Sequence, residues 1–523
     1  MSETVASAAA APMQNGIIDR VQSLDRRALL FTTLVLAIIS FLPYQSWKQP
    51  SILDRANWDY FAQEIVRGAV PYRDVVNIKA PLSAYIGAAA IVFTKPFGLR
   101  DIFAIRIVYL LLASLTVAFT FLVVHGFFNS RRVALLAALI MMAFNLFGDA
   151  NAGGVQPKTP MILFGLIALW AIQKDKPFTA GFAGMLSALS WQPGLLFVGV
   201  ACLAFSRYLT KWRDAKALKA IAGALLPLAT FIGYFWFERA LADIYWWLID
   251  YNLTVDAPRG LRTIPQLVDR FYRLMKGAFR PEWPYFLVSI AGLAIVVWRE
   301  TKVCRRNGVR SLVDNARRHT VIVAPLVYFA FCLINIQGGV DMIPLLPFVA
   351  MFAAAGIVWA IDLCVELLSR AKLRVSRPTL SASIFAAVVA LVLIFSVADV
   401  LWLRVESPTL KEQEAEVAEI TSHLAPGDQI YVHGLAEILV LSRLSNADKH
   451  FFLDRGKDNY LDRVEPGGFA GWLDRLKAKR PKIVALERMK FVERKEDFYD
   501  WMRVDYEEHK GRVFTYYLRR DAN

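Results

Sequence analysis

Charge is scarce in this chain and cysteine nearly absent. Of 523 residues only 20% are Asp, Glu, Lys or Arg, and there are 4 cysteines. Cys202, Cys332 and Cys364 lie in apolar runs and Cys304 in a basic loop, while 403–523 contains none. A disulfide scaffold is therefore excluded. The 6 histidines show no metal-ligand spacing, which argues against a zinc site. In 403–523 there is no glycine-rich phosphate loop, nucleophile elbow or dinucleotide fingerprint. The first apolar run is followed by Leu42-Pro43-Tyr44-Gln45-Ser46-Trp47, without a small-x-small site, so a cleaved signal peptide is not expected. What the chain has instead is apolar mass: 56% hydrophobic residues, 35 Phe and 14 Trp, with a mean hydropathy of +0.40. That composition excludes intrinsic disorder and fibres and points to an integral membrane protein.

Eleven apolar runs approach the length of a membrane span, about 20 residues. They lie near 28–44, 103–124, 133–148, 158–172, 178–190, 194–206, 220–238, 284–298, 320–336, 343–367 and 381–402. The net charge of +15 is divided unevenly among the pieces between them. The stretches 1–27, 125–132, 173–177, 207–219, 299–319 and 369–380 together carry +16, residues 403–523 carry −1, and the rest is neutral. Basic residues concentrate in alternate loops, which is the positive-inside pattern. It predicts a mainly α, polytopic protein of eleven spans with the amino terminus inside and the carboxyl tail outside. Nucleic-acid binding would need one basic face on one folded domain, and none is present.

The organisation expected is a disordered cytoplasmic 1–27, a membrane domain 28–402 and an extracytoplasmic α/β domain 403–523. Two outer loops of the membrane domain, 45–102 and 239–283, are long enough to carry chemistry. In the first, the apolar run 82–94 is short for a span and reads as a helix in the outer interface. The second carries Arg259, Arg262, Arg270, Arg273, Lys276 and Arg280. Those residues suit either an anionic ligand or an amphipathic helix on the membrane surface. In the tail, helices are expected over 412–423, 436–443, 469–479 and 494–502, and strands over 429–434, 450–453, 482–486 and 513–518.

Two classes fit this layout: a transporter, or an enzyme working at the membrane face. A transporter is expected to bury ionisable residues near the bilayer midplane. Here the runs are nearly free of charge, and ionisable residues gather in the first outer loop. Asp54, Asp59 and Asp74 supply carboxylates there, and Arg55, Arg73 and Lys79 supply cations. Transfer of a sugar needs both: a carboxylate to take the acceptor's proton and cations to take up the charge of a phosphate leaving group. Each Asp, read alone, also suits a helix cap or a turn.

The residues Tyr60-Phe61-Ala62-Gln63, Gly68, Pro71-Tyr72-Arg73-Asp74 and Lys79-Ala80-Pro81-Leu82 carry a resemblance. The run from Asp54 to Pro81 is similar to the first outer loop of GT-C glycosyltransferases of the protein O-mannosyltransferase and lipid A aminoarabinose transferase type. The run 426–434 resembles the start of the tail domain in that group, and Leu345-Leu346-Pro347 matches its tenth span. The resemblance implies inverting transfer of a sugar from a polyprenyl-phosphate donor to a lipid, glycan or protein acceptor. The reaction would take place on the outer face of a bacterial inner membrane. It places the general base on Asp54, not Asp59, and the donor-phosphate contact on Lys79. Arg55, Tyr72, Arg73, Asp74, Asp149, Arg259 and Arg262 join Lys79 as substrate-binding candidates. For Arg73 and Asp74 an ion pair that shapes the loop competes with that role, and for Asp149 a turn beside glycines does.

The chain departs from the family pattern at Arg55, where an acid is usual, at Asn77-Ile78 in place of Asp-His, and at Ala80. Val340-Asp341-Met342 replaces the usual His-Tyr. Trp191-Gln192-Pro193-Gly194 occupies an outer turn that in relatives often carries a Lys-Pro or Gln-Pro pair lining the cavity, and it reads equally as a plain interfacial turn. No cofactor is expected. A divalent metal occurs in this fold class, but a cation beside the base favours metal independence. A non-catalytic accessory protein of the same fold, or a transporter, is the alternative.

Overall fold

The computed structural model describes residues 26–206, 215–255, 263–307, 316–336, 338–370, 376–401, 407–453 and 456–520. Every predicted apolar run falls on a helix. First comes α1 (Arg26–Phe41), then a loop that carries α2 (Leu53–Val66) and α3 (Leu82–Thr94). The bundle continues with α4 (Asp101–Phe128), α5 (Arg131–Met142) with α6 (Asn145–Ala152), α7 (Lys158–Gln173), α8 (Pro177–Ser190), α9 (Leu195–Phe205) and α10 (Lys216–Phe237). A second loop with α11 (Ile264–Lys276) leads to α12 (Trp283–Asn307), α13 (Ala316–Asn335), α14 (Leu346–Arg370) and α15 (Arg377–Leu401). Among the described residues six helices, Arg27–Tyr44, Asp101–Phe128, Lys216–Phe237, Arg317–Ile334, Gly339–Arg370 and Arg377–Ala398, are long and apolar enough to cross a membrane, or up to 7 if a bent pair counts as one.

That pair is α5 and α6, bent by 56°. The sequence reads 133–148 as one run, because Phe144 and Leu146 continue the apolar pattern. The helix breaks because the backbone N–H of Asn145 is taken by the Glu282 carboxylate at 2.8 Å instead of by the preceding turn. Tyr44 donates to the Asn145 amide oxygen at 3.0 Å and fixes the corner.

The helices differ sharply in burial. Buried small and apolar side chains of α4, α5, α7 and α14, among them Phe121, Ala137, Leu169 and Ala353, form the bundle core. At the periphery, α15 leaves Leu391, Ile394, Phe395 and Val397 more than 50% exposed. Rows of exposed large apolar groups are what a lipid-facing surface presents and what a water-soluble protein avoids.

The tail is one α/β layer. It runs α16 (Leu410–Ser422), β1 (Ile430–His433), α17 (Ala436–Ser442), α18 (Lys457–Val464), α19 (Gly468–Ala478), β2 (Ile483–Leu486), α20 (Lys495–Asp505), β3 (Tyr506–Lys510) and β4 (Thr515–Arg519). The strand order is β1-β2-β4-β3. β1 and β2 are parallel, with Ile430 opposite Ile483, and β4 runs antiparallel to β2 and β3. The parallel pair β1 and β2 is buried throughout.

One expectation for the tail is corrected. Residues 450–453 form no strand. They run beside β1, but the His433 Nε2 accepts the Leu453 N–H at 2.9 Å, and this side chain takes the place of a ladder bond. Conversely β3 and α18 were not expected, because Glu507, Glu508 and the polar Lys457–Val464 segment lack a strand or helix apolar pattern of their own.

The tail packs on both loops of the membrane domain. Trp58, Phe61, Ala84 and Val155 share one apolar cluster with Ile430, Leu439 and Phe451. Val70, Tyr72, Trp247 and Tyr251 share another with Tyr460, Trp472 and Phe498. Asp250 of the second loop accepts from the Tyr460 hydroxyl at 2.7 Å and lies 3.1 Å from Arg463.

Candidate active site

Asp54 lies exposed in the first turn of α2, between two cavities. The larger, about 340 Å³, is lined by Leu53, Asp54, Arg55, Trp58 and Lys79 of the first loop, by Gln156, Lys158, Trp191 and Val340 of the helical bundle, and by Arg488 of the tail. The smaller, about 60 Å³, is lined by Asp54, Asn57, Trp58, Val76, Asn77, Ile78 and Lys79 together with Phe451, Phe452 and Lys457. One carboxylate thus sits between cations delivered by three separate parts of the chain.

Lys79 is held by its backbone. The Asn77 carboxamide oxygen accepts from the N–H of Ile78 at 2.7 Å and of Lys79 at 3.1 Å, closing a side-chain turn. The Tyr72 hydroxyl donates to the Lys79 carbonyl at 2.8 Å. Gln192 and Asn252 both donate to the Ile78 carbonyl, at 2.9 and 2.7 Å. The Trp191–Gly194 turn therefore reaches the site through Gln192 and Trp191, and Asn77 performs a local structural task.

The other candidates separate into two groups. Arg55 pairs with Asp149 of α6 at 2.6 Å, so the departure at position 55 brings its own counter-ion. Arg55 lines the larger cavity, and Asp149 lines neither. Tyr72, Arg73 and Asp74 line neither cavity either. Tyr72 is fully buried at a φ of 71°. Arg73 chelates the Asp74 carboxylate at 2.8 and 2.9 Å and donates to the Glu238 carbonyl at 2.6 Å. Hydrogen bonding to Arg73 holds the Asp74 carboxyl below its ordinary value. These three residues shape the loop that presents Lys79. Arg259 and Arg262 lie outside the described residues. Arg270, Arg273 and Lys276 fall on α11, an amphipathic helix with Ile264, Val268 and Tyr272 exposed.

Asp59 occupies a different environment. It is fully buried, accepts the Val155 N–H at 3.0 Å, and lines neither cavity. Burial pushes its carboxyl up to about 7. The close approach needs Gly154, whose φ is +140° and where a Cβ would stand 2.6 Å from the carboxylate oxygen.

The sequence did not single out three cations of the site. Lys158, the first residue of α7, is 6% exposed. Its ammonium lies 3.3 Å from Asp341 and 4.6 Å from the centre of the Trp191 ring. A lone Lys opening one apolar run and a lone Asp opening another were the available signal. Lys457 and Arg488 carry none: both flank the Phe452 ring, at 4.4 and 5.1 Å, and only the docking of the tail brings them to Asp54. Among the described residues no three His, Cys, Asp or Glu side chains are grouped so as to hold a metal ion.

No family model and no curated protein matches the sequence. Solved structures match the fold. ArnT from Cupriavidus metallidurans bound to undecaprenyl phosphate superposes with a TM-score of 0.60 at 12% identity, over 94% of this chain and 98% of that one. Its apo state gives 0.59 at the same identity and coverage. The Archaeoglobus fulgidus oligosaccharyltransferase in the apo form gives 0.55 at 11% identity, over 95% of this chain and 75% of that one. The chain accordingly shares the overall fold of these solved structures over nearly its whole length.

Proposed function

We propose that the protein is a glycosyltransferase that moves a sugar from a polyprenyl-phosphate donor to an acceptor hydroxyl, with inversion at the anomeric carbon. The observation that carries the reading is the shared lining of one cavity by Asp54, Lys79 and Lys158. Support comes also from the fold, which an ArnT bound to undecaprenyl phosphate shares.

The chemistry follows from charge. The acceptor O–H gives its proton to the Asp54 carboxylate as its oxygen attacks the anomeric carbon. The bond from that carbon to the phosphate oxygen breaks, and its electron pair leaves with the phosphate. Lys79 is placed to meet the charge that develops there. Lys158 is already opposed by Asp341, so it orients the phosphate more than it neutralises it. The donor's lipid lies on the bundle side, where Trp191 and Val340 line the cavity. The acceptor comes from the tail side, past Leu53 and Arg488. The side chains beside the base are cations, so the transfer is metal-independent. The positive-inside count supports an amino terminus in the cytoplasm and a reaction on the outer face of an inner membrane.

The test is Asp54→Ala and Lys79→Ala in a deletion strain, with surface glycans and lipids read by mass spectrometry. Loss of a general base lowers turnover about 10²–10⁴-fold and loss of a group that stabilises the leaving charge about 10²–10³-fold, so the sugar-modified species disappears in both variants while wild type restores it, in chelator as well. Two folded variants that both restore the full glycan profile would sink the enzyme reading.

A further inference from the structure

The helix that carries Asp54 begins badly. Ile52, at its N-cap position, supplies no side-chain bond to the open N–H groups of the first turn. The next residue, Leu53, has a φ of +48°, a left-handed conformation that a leucine adopts only under constraint. Leu53 is also placed where it matters. It lines the 340 Å³ cavity beside Asp54. It also lines an open cavity of about 560 Å³ with Glu487, Arg488, Lys490 and Tyr499 of the tail.

The constraint comes from the other end of the chain. Glu437, in the first turn of α17, is 5% exposed, and its Oε1 accepts the Leu53 N–H at 2.6 Å. An acceptor oxygen at that position caps the start of α2 from outside. Two residues earlier, Gln413 of α16 brackets Ser51. Its amide donates to the Ser51 carbonyl at 2.8 Å and its oxygen accepts the Ser51 N–H at 2.8 Å. Both Gln413 and Ser51 are buried. The Leu410 N–H adds a bond to the Lys48 carbonyl at 3.2 Å. Residues 48–53 are therefore pinned at three places by the tail.

We propose that Glu437, seconded by Gln413, is a positioning residue for the reaction at Asp54: it holds Leu53 in its left-handed conformation and so sets the base between the two cavities. The C-terminal domain thereby completes the active site through side chains that never touch substrate. This rests on the reading of Asp54 as the base. The role of Glu437 is that of a hydrogen-bond acceptor. Burial pushes its carboxyl up to about 8, so the protonated acid is well populated at neutral pH, and a glutamine oxygen at the same place meets the requirement.

The experiment uses the full chain with Glu437→Ala, Glu437→Gln, Gln413→Ala and Asp54→Ala, in three measurements. These are the sugar-modified product in a deletion strain, amide hydrogen exchange across 50–60, and binding of undecaprenyl phosphate in detergent. A displacement of about 1 Å at a reacting group costs about 10²-fold in rate, so Glu437→Ala should lose product on that scale. Exchange at 53–57 should accelerate at least about tenfold, the signature of a lost cap, while undecaprenyl phosphate still binds. Glu437→Gln should restore both product and exchange protection. Gln413→Ala, which spares the Leu53 bond, should raise exchange chiefly around Ser51 and keeps the test open if Glu437→Ala does not fold. Unchanged exchange at 53–57 in Glu437→Ala overturns the proposal, as does a Glu437→Gln protein that is folded but as inactive as Glu437→Ala. If Asp54→Ala keeps its product, it is the assignment of the base that fails, and the exchange data still report on the clamp.

Discussion

Lys158 and Asp341 show what a single pair costs and does. Both are nearly buried, at 6% and 8% exposure, and each belongs to a different part of the bundle. Removing one partner of such a pair strands the other charge, at a cost of about 3 kcal/mol. We expect Lys158→Met to lower the unfolding temperature in detergent and to weaken undecaprenyl phosphate binding. Lys158→Met combined with Asp341→Asn should recover most of the stability but not the binding. A double variant as unstable as the single one would show that the pair is not coupled. At this scale the sequence was partly legible. Asp54 and Lys79 were visible because a loop motif fixes their spacing along the chain. Lys158, Lys457 and Arg488 were not, because no motif ties them along the chain to Asp54, and only the fold brings them to the same cavities.

At the scale of elements, the bundle relies on close approach. A Cβ on Gly181 of α8 would lie 1.8 Å from the Ala220 carbonyl of α10, and one on Gly223 would lie 2.1 Å from the Phe178 carbonyl. The two glycines let the helices meet backbone to backbone, where van der Waals contact replaces a hydrophobic drive that lipid does not supply. Gly181→Ala is therefore expected to cost at least about 2 kcal/mol. Gly199→Ala on α9, where an added methyl meets nothing within 4 Å, should be neutral or stabilise by up to about 1 kcal/mol. Thermal unfolding of the two variants side by side decides, and equal effects would refute the packing argument. Helices were legible in the sequence even where the apolar run was as short as 178–190 or 194–206. The bend between α5 and α6 was not, since it depends on Glu282 reaching Asn145 from 137 residues away. The same holds for 450–453, where the His433 side chain displaces a strand pairing.

At the scale of the whole molecule, the tail and the first loop form shared cores, so conditions that loosen the tail should reach the site. Two buried groups give its stability opposite pH slopes. Burial lowers His433 from 6.5 to about 4. Its Nε2 accepts from Leu453, so Nδ1 carries the proton and donates to the Glu487 carbonyl at 3.0 Å. Between pH 6.5 and 4 the unfolded chain binds the extra proton, and stability falls as pH falls. Glu437 is raised from 4.5 to about 8. Its contribution is fully present below 4.5 and is lost as pH rises through 8. The unfolding temperature of the full chain should therefore decline on both sides of a maximum. In Glu437→Gln the alkaline limb, up to about pH 8, should flatten while the acid limb stays. An alkaline limb that is unchanged would mean that Glu437 ionises in the fold as it does in water.

Much of this protein was settled along the chain itself. Hydropathy indicates where helices form, because an apolar run in a membrane must satisfy its backbone hydrogen bonds within itself whatever its neighbours are. The alternation of +16 among loops that otherwise sum to almost nothing predicts orientation by a local rule that needs no fold. The loop motif brings Asp54, the proposed base, and Lys79 within a single stretch of 28 residues, 54–81. Tertiary structure decided the rest. It joined Lys158, Arg488 and Lys457 to that stretch, gave Arg55 its partner in Asp149, and set Glu437 against Leu53, 384 positions away. Such contacts depend on how helices and sheet close on one another, and a hydrogen bond across that distance leaves no periodicity or spacing in the sequence that forms it.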